Sequence, residues 1–206
     1  MKECVIFCAA GFDGLAVPLT EKDYLIAADG GLKHMESLGV TPNAIIGDFD
    51  SLNYIPTGAE VFPVEKDDTD MMLAIKKGLE RGCREFHLYG GTGGRRSDHT
   101  VANYQALLYL ARRGARGWLY GNGEIYTAVC GKGEITFPAR ADGILSVFCL
   151  GELAAGVTIR GAHYSVENAV LTPDFPLGCS NHFIGRPITV SVERGDLLLG
   201  LHEVEE

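Results

Sequence analysis

The sequence has little with which to hold a nucleic acid: 18 Lys and Arg stand against 27 Asp and Glu, a formal net charge of −9. A chain that acidic is repelled by a phosphate backbone, and if it handles phosphates at all it needs a metal to mediate. There is no Cys-x-x-Cys pair. The six cysteines (Cys4, Cys8, Cys83, Cys130, Cys149, Cys179) are scattered, mostly among apolar neighbours and without matching histidine spacing, which argues against a zinc site and predicts buried thiols in a reducing compartment. No apolar run approaches the ~20 residues of a membrane span, and the amino terminus lacks the length and cleavage-site context of a signal peptide, so the expected location is the cytoplasm. Repeats, low-complexity tracts and a Pro- or Ser-rich linker are also missing. The single tryptophan, Trp118, lies on an apolar stretch and reads as core. What is present is ample apolar content, 46% of 206 residues, enough for one large domain or two small ones.

The first half alternates strand and helix signals. Cys4 to Ala10 and Tyr24 to Ala28 are continuously apolar, as strands buried on both faces are, and each stops at a turn rich in Gly or Asp. Leu32 to Leu38 fits a short helix closed by Gly39; Ile45-Ile46, Glu60 to Val64 and Glu85 to Tyr89 read as further strands. Met72, Ile75 and Leu79 mark one helix face, and Val101, Tyr104, Leu108 and Ala111 mark another on a long helix ending at Gly114. After about Trp118 helical periodicity ends. Short strands follow with glycine punctuation at 124–129, 143–150, 157–160, 166–171, 188–192 and 197–201. The expected fold is an amino-terminal, doubly wound, mostly parallel α/β domain over 1–120, followed by a carboxy-terminal antiparallel β-sandwich over 121–206.

Acids gather at strand-to-helix junctions of the first half. In Gly47-Asp48-Phe49-Asp50-Ser51, an extended backbone points Asp48 and Asp50 the same way and Phe49 back, a natural seat for Mg²⁺, although a polar turn bonding its own backbone also fits. Lys66-Asp67-Asp68-Thr69-Asp70 opens a helix; one acid suffices as a cap, and the spacing of Asp67 and Asp70 lets both face one side of a first turn. Gly90-Gly91-Thr92-Gly93-Gly94-Arg95-Arg96 precedes the long helix, where glycines admit phosphate oxygens to backbone N–H groups and arginines add charge.

Taken in order, Asp29-Gly30-Gly31, Gly47 to Ser51, Lys66 to Asp70, Gly93-Gly94-Arg95 and Asp98-His99-Thr100, with Gly178-Cys179-Ser180-Asn181 and Gly195 to Leu199 beyond them, resemble the bacterial thiamine pyrophosphokinase family over nearly the whole chain. The resemblance implies an ATP-binding α/β domain, a β domain that helps bind thiamine, and a homodimer with active sites between subunits. It implies transfer of the β,γ-pyrophosphoryl group of ATP to the thiamine hydroxyl with Mg²⁺ as cofactor, leaving AMP. Carried onto this chain, it implies Asp48, Asp50 and Asp70 as metal ligands, Asp98 as the base and Arg95 on phosphate. Asp29, Gly30, Asp67, Thr69, Gly93, Gly94 and His99 would surround the nucleotide, and Ser180 and Asn181 would lie near the aminopyrimidine. The chain departs from the family by one residue between the glycines and Asp98, which leaves Arg96 beside Arg95 as a candidate, and by Gly161-Ala162-His163-Tyr164 where Gly-Leu-Lys-Tyr is more usual. His163 reads as a surface or packing residue.

Two other readings compete. A haloacid-dehalogenase-type phosphatase would use the Asp48-Phe49-Asp50 pattern, but Leu52 stands where that family has Thr or Val. A non-catalytic nucleotide-binding module would keep the glycine loop and gain little from so many convergent acids.

Overall fold

Continuously apolar runs become the inner strands of a parallel sheet. The computed structural model describes residues 2–50, 52–94 and 96–202, and the chain separates into two units, Met1–Asn122 and Gly123–Glu206. In the first, strands β1 (Glu3–Phe7), β2 (Tyr24–Ala28), β3 (Ala44–Gly47), β4 (Glu60–Val61), β5 (Glu85–Tyr89) and β6 (Arg116–Gly121) pair in the order β6-β5-β1-β2-β3-β4, every pair parallel. Central β1 buries Cys4, Val5, Ile6 and Phe7 completely or nearly so, as a strand covered on both faces must. The order reverses between β1 and β5, which makes the carboxyl ends of these two strands the switch point of a doubly wound sheet.

Three helices connect the strands: α1 (Leu32–Leu38), α2 (Asp70–Glu80) and α3 (Ser97–Ala111). Gly39 takes φ +68° and closes α1, its N–H donating to Glu36 O while that of Val40 reaches Met35 O. The buried faces of the other two differ from those the apolar spacing predicts. In α2 the buried residues are Met71, Ala74, Ile75 and Gly78, and in α3 they are Asn103, Ala106, Leu107 and Leu110, while Val101 is exposed. Small residues decide this, because they let a helix axis approach the sheet: a Cβ on Gly78 would lie 2.6 Å from the Phe86 ring and 2.8 Å from Cys4 Sγ.

The second unit is antiparallel throughout. Its strands are β7 (Glu124–Cys130), β8 (Gly133–Phe137), β9 (Ile144–Cys149), β10 (Ala154–Arg160), β11 (Val166–Leu171), β12 (Gly178–His182), β13 (Ile188–Val192) and β14 (Asp196–His202). They form sheets ordered β12-β9-β14-β7 and β11-β10-β13-β8. Alternation is visible on β9, where Leu145, Val147 and Cys149 are buried, and on β13, where Ile188, Val190 and Val192 are. Strands β8 and β12 are additional to the predicted set; β12 is the polar run Gly-Cys-Ser-Asn-His, which carries no apolar signal. Among the described residues no helix is long and apolar enough to cross a membrane.

Candidate active site

The acidic group is built from turns at the ends of β2 and β3. After Ala28 the chain enters a 3₁₀ turn, Asp29–Gly31, with Asp29 at φ +48°. Only glycine can occupy position 31, because a Cβ there would lie 1.9 Å from Phe7 O. Gly47 ends β3 beside this turn, where a Cβ would lie 3.1 Å from Asp29 Cα. Asp48 and Asp50 converge for a reason other than strand alternation. The strand has already stopped, Phe49 sits at φ +61° with its ring buried, and this left-handed residue reverses the chain between the two acids. Asp50 N–H also donates to Asp48 Oδ1 at 3.3 Å, so the self-bonded turn and the convergence coexist. One carboxylate oxygen from each of Asp29, Asp48 and Asp50 lies within 4.8 Å of the others.

Asp70, the first residue of α2, stands near this group but outside the set whose oxygens lie within 4.8 Å of one another, with Lys66 between it and Asp48. Thr69 is the cap, its hydroxyl accepting from Met72 N–H at 3.2 Å, so none of the acids is needed for that task. Between Asp48 and Asp70 sits Lys66, whose Nζ donates to Asp48 Oδ2 at 2.7 Å and to Pro63 O at 3.1 Å and lies 3.3 Å from Asp70 Oδ1. The bond from Lys66 holds Asp48 below the usual carboxylate range. Asp70 goes the other way: burial pushes it up, Lys66 pulls it back, and the charges of Asp48 and Asp29 raise it further. The rest of the run points elsewhere. Asp67 precedes the cap rather than sharing a helical turn with Asp70, and it is exposed; Asp68 pairs with Lys76 at 2.6 Å.

A cleft of about 280 Å³ opens at the switch point. Its floor is Cys8 to Ala10 after β1, and its walls include Asp29, Thr69 and Asp70 on one side and Gly90, Gly91 and Gly94 on the other. The backbones touch here: a Cβ on Gly90, at φ +67°, would lie 2.2 Å from Cys8 O. Asn103 of α3 donates to Gly91 O at 2.7 Å and fixes the glycine loop to the helix behind it. Gly93, at φ +69°, packs on Asn122 and lies beside the cleft, and Gly30 is buried in the 3₁₀ turn. Arg96 and His99 line the cleft. Arg95 and Ser51 lie outside the described residues. Asp98 is exposed and bound by Arg96, with Nη2 to Oδ2 at 2.6 Å, and this bond holds its carboxyl below the ordinary range. Lys66 and Asn103 are residues of this candidate site that sequence reading passed over. The only signal for Asn103 was an amide amid apolar helix residues, and Lys66 was legible only as part of its motif.

Among the described residues, three carboxylates converge on this spot, a donor set that suits a hard divalent cation. Burial and the charges of Asp70 and Asp29 push the Cys8 thiol far up, so it remains protonated and offers no thiolate to a softer metal. Ser180 and Asn181 belong to the second unit. Ser180 takes φ +58° and donates its N–H to Ser146 Oγ at 3.1 Å. The amide of buried Asn181 accepts from Tyr164 N–H and His182 N–H, both at 2.9 Å, and donates to Tyr164 O at 2.6 Å. Its carbonyl is occupied in clamping the 161–165 turn.

Comparison with known proteins adds two family models. "Thiamin pyrophosphokinase, catalytic domain" matches residues 18–119, and "Thiamin pyrophosphokinase, vitamin B1 binding domain" matches residues 133–197. A thiamine pyrophosphokinase of Bacillus subtilis is 26% identical over 183 residues, 84% of this chain and 85% of its own. Among solved structures, the B. subtilis thiamine pyrophosphokinase superposes with a TM-score of 0.83 at 22% identity, covering 100% of both chains. That of Geobacillus thermodenitrificans gives 0.82 at 26% identity, covering 100% of this chain and 99% of its own.

Proposed function

Since the chain belongs to the thiamin pyrophosphokinase family, enzymes that form thiamine diphosphate from thiamine, we propose that it transfers the β,γ-pyrophosphoryl group of ATP to the thiamine hydroxyl and releases AMP. The observation that carries this reading is the convergence of Asp29, Asp48 and Asp50, with Asp70 near them, Asp29 and Asp70 also lining a glycine-walled cleft. Asp48, Asp50 and Asp70 would hold Mg²⁺, which when bound neutralises charge on the phosphate oxygens. Gly90, Gly91 and Gly94 let the triphosphate approach the main chain, and Arg96, with Arg95 next to it, supplies a guanidinium to it. Asp98, kept ionised by Arg96, accepts the hydroxyl proton. Thiamine is bound with the help of the second unit, Ser180 lying near the aminopyrimidine, and the working form is a cytoplasmic homodimer with active sites between subunits. An Asp48-x-Asp50 phosphatase would leave the glycine wall and the whole second unit without a task.

The test is turnover of thiamine and ATP against Mg²⁺ concentration. Asp50→Asn and Asp70→Asn should each lose about 100-fold or more, because an amide is a poor Mg²⁺ ligand. Asp68→Asn, whose carboxylate faces Lys76, should lose little. AMP and thiamine diphosphate should accumulate in step. ADP with thiamine monophosphate, or near-normal turnover in Asp50→Asn, refutes the assignment.

A further inference from the structure

Lys66 has no part in the reading above, yet it stands inside the acidic group. Its side chain is only 13% exposed, and the Asp48 carboxylate it binds is 11% exposed. Its ammonium donates to Asp48 Oδ2 and to Pro63 O, and it forms an ion pair with Asp70 Oδ1 at 3.3 Å. A solvated lysine at a protein surface shows no such anchoring. Two of these three neighbours are carboxylates that would also hold the divalent cation.

A fixed positive charge at this distance does two things. It screens Asp48 from Asp70, so that the acids keep their places without metal. It also opposes a second cation entering among the same oxygens, and competes with it for Asp48 directly. A bare Mg²⁺ ion meets that opposition in full, whereas a Mg²⁺ ion accompanied by phosphates carries its own negative charge into the cleft. We infer that Lys66 is a positioning residue that holds Asp48 and Asp70 in register and keeps the affinity for free divalent cation low, so that the metal is taken up together with the nucleotide's phosphates. The inference rests on the metal reading proposed above and goes further, because it fixes the order in which charge enters the site.

The experiment is a calorimetric titration of the full chain with MgCl₂ and no nucleotide, comparing wild type, Lys66→Gln and Lys66→Arg. Glutamine keeps an N–H donor toward Asp48 and removes the charge; arginine keeps the charge. Lys66→Gln should bind Mg²⁺ about tenfold more tightly than wild type, and Lys66→Arg should match wild type. Thermal midpoints supply a second readout should Lys66→Gln fold poorly without metal. Its midpoint should start lower and climb more steeply with Mg²⁺ than that of wild type, since a tighter ligand stabilises more. A lysine that merely tied two loops together would lower the midpoint without tightening the metal. Equal or weaker Mg²⁺ binding in Lys66→Gln therefore overturns the role of Lys66 and leaves the metal reading standing. The metal reading is judged separately, by the Mg²⁺-dependent turnover of Asp50→Asn and Asp70→Asn, and near-normal turnover there overturns that reading and this inference with it.

Discussion

Asp98 and Arg96 form an exposed pair whose chemistry can be read through pH. A carboxylate acting as base must be ionised, and Arg96 holds Asp98 below the ordinary carboxylate range. The loss of activity that Asp98 itself causes on protonation should therefore come below that range. Releasing the carboxylate with Arg96→Gln raises its pKa, so the acid limb of kcat against pH should move upward, apart from any loss in phosphate binding. A limb that stays in place in Arg96→Gln, and stays also in Asp70→Glu, means that Asp98 is not the base. At this scale the sequence was legible in kind but not in geometry. Asp48 and Asp50 stand out from their pattern, yet they converge through the left-handed Phe49, a conformation that no propensity assigns to phenylalanine. Asp67 and Asp70 look equivalent in the string of letters; one precedes the Thr69 cap and the other begins the helix, and that single boundary separates them.

At the scale of elements, α2 depends on its cap. Thr69→Ala removes the acceptor for Met72 N–H, which should cost about 1 kcal/mol and lower the thermal midpoint by roughly 2–4 °C. If capping were the work of the acids, Thr69→Ala would leave the midpoint unchanged and Asp68→Ala would lower it. Strands β1, β2 and β5 could be read directly because burial on both faces makes a run uniformly apolar. The faces of α2 and α3 could not, since both carry apolar residues on adjacent stripes and the stripe with glycine and alanine is the one that fits closest to the sheet. Strand β12 is invisible for the opposite reason: it pairs through its backbone with β9 while presenting polar side chains, most of them to solvent.

For the whole molecule, the change from alternating elements to a succession of short strands announces two units, because parallel sheets require crossover helices and antiparallel ones do not. The proposed association of two chains into a dimer with shared sites has no such signature in the letters. It can be tested by mixing an Asp50→Ala chain with a Ser180→Ala chain. If each site draws on both subunits, random exchange gives heterodimers with one intact site of two, and activity should recover to about a quarter of wild type. No recovery in verified heterodimers refutes a shared site.

The 3₁₀ turn that carries Asp29 rests on Phe7 O with no side chain between them, and Gly90 rests likewise on Cys8 O. The height of the acids and of the glycine wall above the sheet is thus set by main chain on main chain. Over long divergence, the sheet's side chains can be exchanged in compensating sets without lifting either wall of the cleft. A single methyl group at position 31 or 90 has no compensating partner, because nothing it would strike can itself be replaced.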